Sequence, residues 1–324
     1  MTPSTPTAAQ LALVQDLWQL DGPLKFIRRV ENCIFESGRG GERLAVRFTE
    51  PVHRARVEIE AELDWMDHLA GQGLRLARPV PSRAGRLVEE CSGEAPLFVA
   101  VFHWAAGEPL REPEEFTPQL METWGRYLGR MNALSRTYRA PAGIARRREW
   151  DDDDAMRVAR RGLALSDEAP RQAFEALLRE LGGLPRTSDA YGLVHGDLHH
   201  GNFFVQEGRL TAFDFDDCGF HWYTYDLVVP LVGACDYFHR REREGPDRHL
   251  RERYLQGYLA ESPLDRAWIA RAATFARYRN GLLYHWTIAR MAEGAFDAAL
   301  VPVIRSSQDW WRRQLLEGGS ELFS

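Results

Sequence analysis

Lysine is nearly absent from this chain of 324 residues. Lys25 is the only lysine, so arginine supplies every other one of the 41 basic residues, and 47 acidic residues leave a formal charge of −6. That balance is not typical of a protein with a broad nucleic-acid-binding surface. We therefore expect no nucleic-acid partner, whereas a cationic small substrate would be attracted.

Cysteine is also scarce, and its four copies lie far apart without forming a C-x-x-C pair. This spacing favours neither a zinc ribbon nor a disulfide framework. No apolar run approaches the roughly 18 residues that a membrane span requires, and the segment MTPSTPTAAQ lacks the basic and apolar regions of a signal peptide. The expected location is the cytoplasm, with no membrane partner.

The first third of the chain carries strand patterns around a single helix. Apolar residues at helical spacing, from Ile59 to Ala70, predict a helix over about residues 52–70 that Gly71 and Gly73 end. β-branched and aromatic residues predict strands at 25–30, 32–37, 43–48, 85–90 and 97–104.

Beyond residues 104–107 the pattern is mostly helical, most clearly over 119–135, 171–183 and about 264–296. One β hairpin is predicted, because the short apolar runs at 203–205 and 210–213 flank QEGR. We predict an α+β, two-lobed fold, with a small antiparallel β-sheet lobe over residues 1–104 and a larger, mostly helical lobe over residues 105–324.

The candidate catalytic and metal-binding residues are concentrated in one short stretch of the chain. HGDLHHGN at residues 195–202 matches the kinase catalytic-loop pattern H-x-D-L-x-x-x-N, with glycine where protein kinases have arginine, and Asp214 follows twelve residues after Asn202. Phosphoryl transfer requires a carboxylate that orients the acceptor hydroxyl and oxygen ligands that hold magnesium. Asp197 suits the first role, and Asn202 and Asp214 suit the second.

A metal-dependent hydrolase is the alternative that these residues leave open. The same stretch offers enough ligands for a pair of transition-metal ions, namely His195, Asp197, His199, His200, Asp214, Asp216 and Asp217. Against this alternative, the other histidines show no comparable clustering with carboxylates.

HGDLHHGN followed by FDFDD resembles the aminoglycoside phosphotransferase and choline kinase-like family of the protein-kinase-like superfamily. ELDWMDHL, FVAVFHWAAGEPL, GRYLGRMNALS and HWYTYDLVVPL agree in order, so nearly the whole chain takes part. The resemblance implies an ATP- and Mg²⁺-dependent phosphotransferase that moves the γ-phosphoryl group to a hydroxyl of a small molecule, such as an aminoglycoside, choline or homoserine-like acceptor. A protein serine/threonine kinase of the same family and an inactive nucleotide-binding module remain alternatives.

The resemblance also assigns roles within the catalytic segment. Asp197 would be the catalytic base, Asn202 and Asp214 the magnesium ligands, and His195 a structural residue. Asp226 in YDL would brace the catalytic loop, and a helix N-terminal cap is its alternative role.

The first lobe departs from the kinase pattern. Kinases of this superfamily hold the α- and β-phosphates with a lysine on the third strand, paired with a glutamate, but RLAVRF offers Arg47. A guanidinium binds phosphate well, although its planar fork differs from an ammonium. Glu62 is the predicted partner, because it lies on the apolar stripe of the helix beside Ile59 and Met66.

Two further expectations concern the nucleotide base and the acceptor. By the resemblance, backbone groups near Phe102, His103 and Trp104 would contact the adenine. Aromatic residues are dense after residue 222, where a cage for a quaternary ammonium is the alternative to an ordinary core. The segment after Asp214 runs straight into CGFHWYTYDL, which offers only Tyr223, Thr224 and Tyr225 as residues that could be phosphorylated in an activation segment, and this favours a small-molecule acceptor over a protein.

Overall fold

The protein is described by a computed structural model that covers residues 5–93 and 95–318. The chain forms two compact units, the first containing the described residues up to Ala106 together with Tyr138–Arg147, and the second containing Gly107–Thr137 and the described residues from Arg148 onward. This division assigns no role to either unit, so the predicted nucleotide-binding and acceptor-binding lobes at 1–104 and 105–324 stay predictions.

The first unit is built on a six-stranded sheet in which each strand pair is antiparallel, as the strand patterns predicted. The strand order is β1-β2-β3-β6-β4, with β5 paired to β6. The strands are β1 (Asp21–Arg29), β2 (Cys33–Arg39), β3 (Glu42–Thr49), β4 (Pro79–Val80), β5 (Glu89–Cys91) and β6 (Leu97–His103).

Helix α1 (Ala8–Trp18) of the first unit is absent from the sequence prediction. Its signal is a capping box, in which Thr7 Oγ1 accepts from Gln10 N–H at 3.2 Å and Gln10 Oε1 accepts from Thr7 N–H at 2.9 Å. Val14 and Trp18 of this helix are fully buried in the core of the unit. The helix therefore covers one face of the sheet.

Helix α2 (Arg56–Gly71) begins four residues later than predicted, because the residues before it form a turn. Gly73 follows it with a φ of +82°, so the predicted glycine stop is confirmed. The segment Tyr138–Arg147 joins the unit through α2: Tyr138 Oη donates to Asp64 Oδ2 at 2.6 Å, and Arg147 Nη1 donates to Glu58 O at 2.9 Å.

The second unit is mostly helical, as predicted. The helix predicted at 264–296 is split after residue 269, and the aromatic residues Trp222, Tyr225 and Tyr278 lie in the hydrophobic core. Its helices are α3 (Pro118–Thr137), α4 (Asp154–Leu163), α5 (Glu168–Gly182), α6 (Tyr223–His239), α7 (Arg248–Glu261), α8 (Arg266–Ile269), α9 (Ala272–Ala292) and α10 (Val301–Glu317), with a 3₁₀ turn at Pro113–Glu115.

Two small antiparallel ribbons interrupt these helices. The predicted hairpin is confirmed as β8 (Phe203–Gln206) and β9 (Arg209–Ala212), joined by a two-residue turn in which Glu207 and Gly208 have positive φ. The other ribbon pairs β7 (Tyr191–Val194) with β10 (Gly219–Trp222). The sequence reading did not predict β10.

Across the described residues, no helix combines the length and the apolar character that crossing a membrane requires.

Candidate active site

The catalytic segment is the long excursion between β7 and β10. Val194 pairs with Gly219, so the HGDLHHGN loop leaves the ribbon and the FDFDD segment returns to it at the same end. The chain between them runs through the β8–β9 hairpin, and Phe213 N–H donates to Asn202 O at 2.9 Å. The fold thereby brings together two motif segments that are separated in sequence.

His195 is a fully buried and neutral part of this framework. Burial lowers the pKa of His195 to about 4. Nδ1 accepts from Asp197 N–H at 3.3 Å, Nε2 lies 3.3 Å from Phe213 O, and the ring contacts Phe215 with centroids 4.5 Å apart. Both ring nitrogens face backbone groups, so the imidazole suits support of the loop better than metal binding or proton transfer.

Gly196 occupies a position that tolerates no side chain. Its φ is +80°, and a Cβ atom added there would lie 2.8 Å from Asp217 O. Its N–H donates to Asp226 Oδ1 at 3.0 Å. The arginine that protein kinases carry at this point of the motif therefore does not fit this backbone.

Asp226 is fully buried inside α6, not at its N-cap, which is Trp222. Burial raises the pKa of Asp226 to about 7, although hydrogen bonds from the Gly196 and His195 backbones and from Asn132 act against it. Its contact with Gly196 N–H ties the helix to the catalytic loop next to Asp197. The N-cap alternative is therefore wrong, and the bracing role of Asp226 stays a prediction.

Asp197 is held by donors on both of its carboxylate oxygens. Oδ2 accepts from Asn202 Nδ2 at 3.1 Å, and Oδ1 accepts from the guanidinium of Arg279. Burial alone would raise the pKa of Asp197, but the charges of His199 and Arg279 outweigh it and hold that pKa below its usual value. The group is therefore a carboxylate at neutral pH.

Asn202 and Asp214, the predicted metal ligands, carry the kinds of oxygen atom that suit a hard cation. Asn202 turns its Nδ2 toward Asp197, where it also donates to the backbone oxygen at 2.9 Å, so Oδ1 is the side-chain atom that could coordinate a metal ion. Asp214 has a φ of +64°, an uncommon conformation that recurs at functional sites. Amide and carboxylate oxygens are the ligands that Mg²⁺ prefers.

Arg279 of α9 is the site residue that the sequence analysis missed. It is largely buried, its Nη2 donates to Asp197 Oδ1, and its Nη1 donates to Tyr225 Oη at 3.0 Å. Phe275 and Leu282, at helical spacing on either side, are buried as well. An arginine on a buried helix stripe requires a partner, and this signal, which led to Glu62, was available here too.

A pocket in the second unit is lined in part by Gly196 and Arg279, the chain neighbour and the ion-pair partner of Asp197, and each lining residue belongs to that unit. Its empty space, including the open mouth, is about 360 Å³. Trp150, Phe220, His221 and Tyr225 supply aromatic walls; Asp153, Asp217 and Arg279 supply charge. Burial lowers the pKa of His221 well below its usual value, so the two carboxylates outnumber the one cation in the lining.

In the first unit, Arg47 and Glu62 form a buried, bidentate ion pair. Arg47 Nη1 and Nη2 donate to Glu62 Oε1 and Oε2 at 2.8 and 2.7 Å. The guanidinium also lies over the Phe102 ring, 5.1 Å from its centroid. The structure therefore brings three of the predicted first-lobe residues together.

His103 and Trp104 have their backbone N–H groups engaged within the first unit. His103 N–H donates to Arg78 O at 2.8 Å, and Trp104 N–H donates to Arg43 O at 3.0 Å. The Trp104 ring stacks on Arg43, with 4.0 Å between the guanidinium carbon and the ring centroid, rather than on Arg47. An adenine contact here would therefore use carbonyl groups or the backbone that follows.

Comparison with known proteins agrees with this arrangement. The profile of the phosphotransferase enzyme family matches residues 26–271. The chain belongs to the phosphotransferase enzyme family. As a member of it, the chain is an ATP-dependent phosphotransferase with a hydroxyl group as its acceptor.

Three relatives of this phosphotransferase are informative. Amicoumacin kinase of Bacillus subtilis is 31% identical, over 81% of this chain and 78% of its own length. The structure of amicoumacin kinase hAmiN in complex with AMP-PNP, Ca²⁺ and Ami is 27% identical, with a TM-score of 0.81 over 96% of this chain and 94% of that one. A microcompartment-associated aminopropanol kinase is 26% identical, with a TM-score of 0.74 over 97% and 98% of the two chains.

Proposed function

We propose that this phosphotransferase transfers the γ-phosphoryl group of ATP to a hydroxyl of a small organic molecule, with Asp197 as the group that orients and deprotonates that hydroxyl. The observation that carries the proposal is the Asp197 carboxylate, which is held on both oxygens and directly follows Gly196, a residue of the pocket lining.

In the proposed reaction the acceptor oxygen forms a bond to the γ-phosphorus while the bond from that phosphorus to the β,γ-bridging oxygen breaks. ADP leaves, and the hydroxyl proton passes to Asp197 and then to solvent. Catalysis of this kind depends mainly on positioning and charge stabilisation. An ionised carboxylate with fixed orientation is suited to that task.

Asn202 and Asp214 are the proposed ligands of Mg²⁺, which when bound neutralises charge on the nucleotide phosphates. Arg47, fixed by Glu62, is the proposed contact to the α- and β-phosphates. The bidentate hydrogen bonding between them supports this role, because it fixes the orientation of the planar guanidinium. Backbone groups around Phe102–Trp104 are the proposed neighbours of the adenine, and His195 and Asp226 support the loop.

A protein substrate is less well supported than a small molecule. After Asp214 the chain enters β10 at Gly219 and α6 at Tyr223, so no long activation segment follows among these described residues. Tyr223, Thr224 and Tyr225 are buried and are not available for modification in the folded chain. The hydrolase alternative is weakened because both His195 nitrogens face backbone groups.

The proposed acceptor is an alcohol that also carries an ammonium group. Asp153 and Asp217 line the pocket together with Arg279, and the aromatic faces nearby favour a cation. The aminopropanol kinase relative supports the same class, because aminopropanol is an amino alcohol.

The test is an acceptor panel of aminopropanol, choline, homoserine and amicoumacin with Mg·ATP, in which phosphorylated product is detected by mass spectrometry. Propane-1,2-diol is the matched neutral control for aminopropanol. Product from an amino alcohol but not from the diol is expected. Phosphorylation of a protein substrate with none of these alcohols modified would refute the small-molecule assignment.

A further inference from the structure

Arg279 reaches the catalytic carboxylate from a different element than the catalytic loop. It lies on α9, 82 residues after Asp197, with its side chain 11% exposed. Asn202, on the loop itself, donates to the opposite oxygen, Oδ2, and His199 Nε2, also on the loop, lies 3.6 Å from that oxygen. Two donors on separate elements fix the plane of the carboxylate more firmly than the loop alone could.

Arg279 is itself held in place. Its Nη1 donates to Tyr225 Oη at 3.0 Å, and the Tyr225 ring stacks on His221 with centroids 3.8 Å apart and an angle of 14° between the planes. His221 belongs to β10, which pairs with the strand that leads into the catalytic loop. These contacts join the guanidinium to the ribbon from which Asp197 extends.

We propose that Arg279 is a positioning residue that keeps the Asp197 carboxylate turned toward the acceptor hydroxyl. The inference rests on the proposed function of Asp197. Arg279 also lines the pocket, and because its guanidinium donates to Asp197 Oδ1, any shift of the guanidinium would change the direction in which the carboxylate faces. A misplacement of about 1 Å at a reacting group can lower a rate about 100-fold.

The test measures kcat and the KM for ATP in basal ATP hydrolysis, where water takes the place of the acceptor hydroxyl, and repeats both with any alcohol that the acceptor panel identifies. Arg279→Gln is expected to lower kcat about 100-fold while the KM for ATP changes less than about twofold. Arg279→Lys should lower kcat nearly as much, because one ammonium cannot reproduce the guanidinium bridge to Asp197 and Tyr225.

Arg290→Gln is the matched control. Arg290 lies on the same helix with 9% of its side chain exposed and pairs with Glu293, outside the pocket lining. Tyr225→Phe removes only the hydroxyl that holds Arg279 and should lower kcat about tenfold, the effect of one hydrogen bond to a charged group. It tests the proposal even if the Arg279 variants do not fold, which thermal melting would reveal.

The outcomes distinguish failure of the positioning role of Arg279 from failure of the proposed function of Asp197. A kcat within about threefold of the wild type in a folded Arg279→Gln variant, or full activity in Arg279→Lys, would overturn the positioning role. An unchanged kcat in Tyr225→Phe would overturn it if the Arg279 variants do not fold. Normal activity in an Asp197→Asn variant would instead overturn the proposed function on which the inference rests.

Discussion

Replacement of Glu62 by glutamine should destabilise the protein far more than the loss of a surface charge from the same helix. Arg47 and Glu62 share two short hydrogen bonds, and their side chains are 4% and 1% exposed. Glutamine keeps the size of the side chain but removes the charge, so the guanidinium would stay buried without its counter-charge. Removal of one partner from a buried pair costs about 3–5 kcal/mol.

Urea unfolding followed by tryptophan fluorescence measures this loss as a decrease in the free energy of unfolding. Glu60→Gln is the matched control on α2, because Glu60 pairs with Arg56 at 2.8 Å but is 38% exposed. A surface pair of that kind contributes about 0–1 kcal/mol. If Glu62→Gln lowers the free energy of unfolding no more than Glu60→Gln does, the argument from burial is wrong.

Three further predictions concern the catalytic segment. Gly196→Ala should lower the free energy of unfolding by about 1–3 kcal/mol, measured with urea, because of its positive φ and the close Asp217 oxygen; no loss would contradict the strained geometry. Asp214→Ala should weaken ATP binding only when Mg²⁺ is present, as measured by titration calorimetry; equal weakening without the metal would argue against a ligand role. Asp226→Asn should become more stable relative to the wild type as the pH rises from 4 to 7. The Asp226 pKa of about 7 lies above the ordinary value of 3.8, so the folded wild type keeps a proton that the unfolded chain has released, which costs on the order of 4 kcal/mol by pH 7. Urea unfolding at pH 4.5 and pH 8 measures this difference, and parallel pH profiles would contradict it.

Much of the fold could be predicted because its signals are local. The β8–β9 hairpin follows from a glycine-containing turn between two short apolar runs, and Glu62 was placed on a buried stripe from helical spacing alone. Helix α1 was missed because its evidence is a capping box and a buried Trp18 rather than a strong periodic pattern. The strand β10 was missed because the β8–β9 hairpin separates it in sequence from its partner, β7.

The site was harder to predict wherever contacts are long-range. Asp197, Asn202 and Asp214 stand out because they lie in two recognisable motif segments close together in the sequence, whereas Arg279 is separated from those segments by three helices. The backbone N–H groups of His103 and Trp104 illustrate another limit. The sequence identifies the segment that contains His103 and Trp104. Only the backbone hydrogen bonds of the folded chain show that Arg78 O and Arg43 O already accept from these two N–H groups.

The most direct test of the account compares the wild type with Asp197→Asn in Mg·ATP-dependent phosphoryl transfer, with nucleotide binding measured in parallel by calorimetry. Asparagine keeps the shape of the side chain but cannot take a proton from the acceptor. We predict that transfer falls by about 100-fold or more while the affinity for Mg·ATP stays close to that of the wild type. Near-normal transfer by Asp197→Asn would contradict the assignment of Asp197 and the catalytic mechanism built on it.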